Sequence, residues 1–235
     1  MLYNAIILSL FSGLAIFLGG LLASLNIFKS RWLRSEVRHT LVAMGAGALI
    51  SAIAFVLVPD GIKDQSKISS IVTFALGGIV FMWLDKLFSK SKSRLSLLTA
   101  MLLDFIPEAI VLGVVLAAHD LRKAIFIAVI IALQNFPEGY SSFLEMEKTV
   151  SIGKRKLLWW FFLISLSGLL YVFIGVKVFV GHPQILAMLM TFCAGGILYL
   201  VFQDVAPQAK LEKHWAPPLG AVFGFLIGMA GYIFI

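Results

Sequence analysis

The chain alternates long apolar runs with short polar connections. A helix needs roughly 20 predominantly apolar residues to cross the hydrocarbon core of a bilayer. Eight runs are candidates, at 3–28, 40–59, 69–88, 96–117, 124–144, 157–180, 185–205 and 219–235. They are continuous, whereas barrel strands would give weaker alternating segments of about 10 residues. The connections leave no room for a sizeable soluble domain. Residues 1–235 are therefore expected to form a single all-α integral membrane domain of eight transmembrane helices. The first run, Leu2 to Phe28, lacks a basic start and is long enough to span. It reads as a retained first helix, not a cleaved signal.

Composition agrees. Of 235 residues, 60% are hydrophobic and 13% charged, about half the charged fraction of a soluble domain. A net charge of +7 would fit nucleic acid on a soluble protein, but here the basic residues lie between apolar runs, so they read as orientation signals and no nucleic-acid partner is expected. The connections after runs one, three, five and seven carry Lys29, Arg31, Arg34, Arg38, Lys86, Lys90, Lys92, Arg94, Lys148, Lys154, Arg155, Lys156, Lys210 and Lys213; those after runs two, four and six carry Lys63, Lys67, Arg122 and Lys123. The bias of 14 to 4 predicts that the first set is cytoplasmic and both termini are outside. Cys193 is the single cysteine, which excludes an internal disulfide and a cysteine-based metal site.

The chain also repeats itself. "AGALISAIAFVLVPD" from Ala46 aligns without a gap on "AGGILYLVFQDVAPQ" from Ala194, with Pro59 falling on Pro207. By the charge bias the two helices run in opposite directions. That predicts an inverted repeat, helices 1–3 against 6–8 around helices 4 and 5, as in secondary transporters. The glycine-rich faces also suit close helix packing, inside one chain or across a homodimer.

Two acidic groups stand where a bilayer tolerates them least. Glu108 in "LDFIPEAIVLG" and Glu138 in "LQNFPEGYSSF" fall near the middle of the fourth and fifth runs, each directly after a proline, Pro107 or Pro137. A carboxylate there costs several kcal/mol unless it is paired, protonated or wet, and a proline frees the carbonyl four residues back and is expected to kink the helix. Four residues before each glutamate stands a second polar group, Asp104 or Gln134, on the same helical face. A short loop, about 118–123, makes the two helices antiparallel neighbours, so Asp104, Glu108, Gln134 and Glu138 converge, with Asn135 at an adjacent position. Three carboxylates cannot all stay ionised in an apolar bundle without a cation or protons. A divalent metal ion is the simplest partner.

These paired motifs resemble those of the ZIP family of divalent metal-ion transporters, whose fourth and fifth helices carry His-Asn-x-Pro-Glu-Gly and a relative of it. The resemblance extends over nearly the whole chain and includes the eight spans, the glycine-rich second and seventh helices and "LSGL" from Leu166. It implies a metal pathway between two helix groups, with Glu108, Gln134 and Glu138 at ligand positions and Asn135 at a position used by a second metal. The departures are specific. Asp104 stands where the family usually has histidine, Phe105 where it has asparagine and Tyr171 where many members have glutamate, and no histidine-rich loop is present. A single, all-oxygen site is expected. Carboxylates and amides suit Mn²⁺, Mg²⁺, Fe²⁺ or Ca²⁺ better than zinc, whereas the family resemblance implies zinc or iron.

The expectation is therefore uptake of divalent metal ions across a bacterial or archaeal cell membrane, with the ion as cargo, no prosthetic group and no enzymatic activity. Two alternatives are a non-transporting member acting as metal sensor or scaffold, favoured by Phe105 and Tyr171, and an intramembrane metalloenzyme, for which no His-Glu-x-x-His set is present. No nucleotide-binding motif supports ATP-driven pumping. Asp60, Gln203 and Asp204 stand near span ends as candidate uptake and release relays. His39, His119, His182 and His214 fall at loops or helix ends and read as surface histidines.

Overall fold

The computed structural model describes residues 2–25, 31–88, 94–149, 152–179, 181–209 and 215–234, and within these helices the side chains at 31–34, 88, 94–101, 103, 104, 149, 178 and 179 are not part of the description. Asp104's side chain, Lys29, Lys90, Lys92, Lys210, Lys213 and His214 thus lie outside the described residues.

The described residues form no strand. The long helices are α1 (Leu2–Ser24), α2 (Arg31–Ala52), α3 (Lys67–Phe88), α4 (Arg94–Ala117), α5 (Leu121–Thr149), α6 (Lys154–Phe179), α7 (Pro183–Leu200) and α8 (Ala216–Phe234). Seven of these rods are long and apolar enough to cross a membrane. In α4 the described apolar stretch is Phe105–Ala117. An apolar helix satisfies every backbone hydrogen bond within itself, which a bilayer interior demands. Several helices overrun the apolar windows: α2 begins at Arg31 and α5 extends to Thr149, because hydropathy registers the part of a helix inside hydrocarbon and polar residues continue it into the interface.

α2 and α7 share an irregularity. Each passes through a π-helical turn, Ile53–Leu57 in α2 and Val201–Val205 in α7, into one further helical turn, Val58–Gly61 or Ala206–Ala209. Val58 N–H bonds to Ile53 O, and Ala206 N–H bonds to Val201 O, five residues back in each case. Pro59 and Pro207 follow directly. A proline has no N–H to give and crowds the carbonyl four residues earlier, and a π turn is a way for the ladder to absorb that. When Ala46 is laid on Ala194, the two π turns coincide residue for residue. The expected kinks at Pro107 and Pro137 take a different form: α4 and α5 run through both prolines as unbroken α-helix.

Helix contacts divide the bundle into two groups. α1, α4, α5 and α6 pack on one another, most extensively α1 on α5 and α4 on α6; α2, α3, α7 and α8 form the second group through α2 on α8 and α3 on α7. The principal contact between the groups is α2 on α5. Close approach inside the second group requires glycine. A Cβ on Gly47 would strike the backbone oxygen of Ala221 in α8, and one on Gly195, at the aligned position in α7, would strike that of Phe74 in α3.

The α4–α5 hairpin is tight. His119 takes a left-handed conformation (φ 61°), its N–H bonds to Leu116 O at 3.1 Å, and Asp120 Oδ1 accepts from Lys123 N–H at 3.0 Å to cap α5. The connection is three residues, 118–120, shorter than the 118–123 expected, because the cap draws Leu121 to Lys123 into the helix.

Candidate functional site

α5 carries three of the candidate residues, Gln134, Asn135 and Glu138. Gln134 and Glu138 lie one turn apart, and Gln134 Nε2 donates to Glu138 Oε2 at 2.8 Å. Gln134 is buried, at 3% exposure. Its neighbour across the group boundary is Gly45 of α2, where a Cβ would sit 3.2 Å from Gln134 Cα and 3.5 Å from Pro137 Cγ. Only a residue as small as glycine or alanine lets α2 lie this close to the site.

Asn135, the next residue, turns to another neighbour. It is fully buried, and its Nδ2 donates to Ser12 O of α1 at 3.0 Å. Successive helical residues point about 100° apart, so Gln134 faces α2 while Asn135 faces α1. The structure thus joins Gln134 to Glu138 and directs the Asn135 amide N–H toward α1.

On α4, Glu108 is buried at 4% exposure, and α4 packs against α5. Two buried amide oxygens accept no hydrogen bond among the described residues, Gln134 Oε1 and Asn135 Oδ1. An acceptor buried without a partner costs about 1–3 kcal/mol. A cation is one partner that a carboxylate-and-amide set can take. Among the described side chains, which do not include that of Asp104, no three of His, Cys, Asp or Glu gather as metal ligands.

Phe105 occupies the ground between α1 and α6. It is fully buried, and a Cβ on Gly13 would come within 3.2 Å of its ring, one on Gly168 within 2.5 Å. Ser9 Oγ lies 3.2 Å from that same Gly168 position. The ring fills a space bordered by Ser9, Gly13 and Gly168 and brings no donor atom to it. Tyr171 is half-buried and packs against the core.

The remaining sequence candidates separate. Asp60 is held by two lysines, Lys63 at 2.6 Å and Lys123 at 2.7 Å. Asp204 lies on the α7 π turn, near enough to Glu138 and Asp85 for their charges to interact. Asp85 of α3 accepts from Tyr199 Oη of α7 at 2.9 Å. Asp85 and Tyr199 were not singled out from sequence; the available signal was a carboxylate following the apolar run "IVFMWL". Gln203 lines a groove of ≈ 410 Å³ between α3 and α7, with Phe74, Gly78, Leu198 and Tyr199. His39 Nδ1 is 2.6 Å from Ser35 O, His119 serves the hairpin turn, and His182 is the residue before α7. Compared with protein-family models and with curated proteins, the chain matches none.

Proposed function

We propose that this protein is a secondary carrier for divalent metal ions, moving them toward the cytoplasm through a site on α4 and α5. The observation that carries the reading is the Gln134–Glu138 pair at 2.8 Å, in which Gln134 is buried and Glu138 half-buried and the amide oxygen has no partner among the described residues, in a bundle that also buries Glu108. Asp104, Glu108, Gln134 and Glu138 are the proposed ligands, and Asn135 borders them on the α1 side. The donor set is all oxygen, which favours Mn²⁺ or Fe²⁺ over Zn²⁺.

The proposal takes the chain as an atypical relative of the ZIP transporters, with an inverted repeat and with eight spans whose termini face outside. Two observations support the repeat. The π turns of α2 and α7 fall at aligned positions, and the helix contacts are paired as such a repeat requires, α2 on α8 with α7 on α3, and α1 on α5 with α6 on α4. The orientation rests on the basic-residue bias. Movement of α1, α4, α5 and α6 against the other group would expose the site alternately to the two sides. Phe105 between α1 and α6 favours one ion over two. Uptake into vesicles tests the reading: Glu108→Ala and Glu138→Ala are each expected to abolish it.

A further inference from the structure

We propose that the Asp60–Lys123 ion pair is a one-sided latch that holds the two helix groups together at the α4–α5 hairpin end of the bundle. Its purpose rests on the transport reading above; its geometry does not. Asp60 ends α2, in the second group, and Lys123 begins α5, in the first. Their charged atoms are 2.7 Å apart, and the side chains are 16% and 26% exposed. Lys123 is held in place from its own side, because Asp120 caps its N–H at 3.0 Å and lies 3.5 Å from its ammonium. Lys63 also reaches Asp60, at 2.6 Å, but it is 62% exposed and belongs to the same end of α2, so it does not cross between groups. The Lys154–Glu147 pair, at 3.0 Å, stays within the first group, between α6 and α5.

The sequence repeat supplies no charged counterpart to the pair. The repeat that lays Pro59 on Pro207 lays Asp60 on Gln208, and the match of Glu108 to Glu138 lays Ser93 on Lys123. Neither Gln208 nor Ser93 carries charge. At the other end, among the described residues, α2 and α5 share a hydrogen bond, Arg38 Nε to Ser141 Oγ at 3.2 Å. A framework built from paired halves is thus fastened by an ion pair at one end. Any separation of α2 from α5 at that end must break it, so the pair biases the resting state toward closure there.

The test uses thiol accessibility, which needs no cargo. In the full chain carrying Cys193→Ser, Ile130→Cys places a thiol at a buried position of α5 that faces Gly228 of α8 and Ser51 of α2 across the group boundary, between Lys123 and Gln134. Reconstituted protein is labelled with a membrane-impermeant maleimide. Asp60→Asn and Lys123→Met are each expected to raise the labelling rate roughly two- to five-fold, the equilibrium shift that one partly exposed ion pair can supply. Lys63→Met is expected to leave it unchanged. The exchange Asp60→Lys with Lys123→Asp restores a pair and is expected to return the rate toward that of the parent. Unchanged labelling in both neutralised variants, or an equal rise in Lys63→Met, overturns the latch. Metal uptake by the same vesicles separates the two proposals. Labelling that responds without any uptake leaves the latch standing and removes the transport reading; uptake with unresponsive labelling does the reverse.

Discussion

Gln134 Nε2 donates to Glu138 Oε2 across one turn of α5, at 2.8 Å. The bond fixes the carboxylate and turns the amide oxygen into an acceptor with no partner among the described residues. Gln134→Leu removes both effects while keeping the volume. Support of this kind typically holds ten- to hundred-fold in metal affinity. Mn²⁺ binding by the purified protein is therefore expected to weaken about ten- to hundred-fold, with the helical content unchanged. Unaltered Mn²⁺ affinity would remove Gln134 from the site.

Ligand softness should set the ion preference. Gln134→His places an imidazole next to the Glu138 carboxylate, a donor that suits zinc better than an amide does. The expected result is a rise in the ratio of Zn²⁺ to Mn²⁺ affinity relative to wild type. Competition binding with the two ions measures it, and a ratio that does not rise contradicts the all-oxygen account of selectivity.

Asn135 should report on stability more than on ion binding. Its Nδ2 bond to Ser12 O ties α5 to α1 in a fully buried setting. Asn135→Ala removes that buried hydrogen bond, at a net cost of about 0.5–1.5 kcal/mol. Unfolding in detergent is expected to show that loss, while Mn²⁺ affinity falls less than in Gln134→Leu. The opposite order would place Asn135 in the ion's coordination sphere.

Phe105 packs against Gly13 and Gly168 with no exposed surface. Phe105→Ala leaves a cavity, and buried phenylalanine-to-alanine changes cost about 3–5 kcal/mol. Gly168→Ala forces its new methyl onto the same ring. Both are expected to lower the unfolding midpoint in detergent, and a midpoint matching wild type would mean that the ring does not hold α1 and α6 together.

Much of this architecture was legible in the sequence, and the physics explains why. Long apolar runs can resolve their backbone hydrogen bonds only as helices, so element type and approximate position followed from hydropathy. Boundaries did not, because α2 and α5 continue past the apolar window into the interface. The gapless match of Ala46 with Ala194 anticipated the shared proline, but the π turns before it are a property of backbone register that no side-chain pattern displays. The i, i+4 spacing placed Gln134 beside Glu138, as the 2.8 Å bond shows. What spacing could not reveal is which neighbour each amide meets, since that depends on how α1 and α2 flank α5. The same limit hid Tyr199 and Asp85, joined across α3 and α7, and the partner of Asp60, which is supplied by a helix distant in sequence.

The central claim is ion movement through α4 and α5, and flux tests it most directly. Wild type, Glu108→Ala, Glu138→Ala and the double variant are reconstituted into vesicles, and Mn²⁺, Fe²⁺ and Zn²⁺ entry is followed. The account predicts uptake by wild type, faster for Mn²⁺ or Fe²⁺ than for Zn²⁺, and none above empty vesicles for the variants. Equal uptake by wild type and the double variant would contradict it.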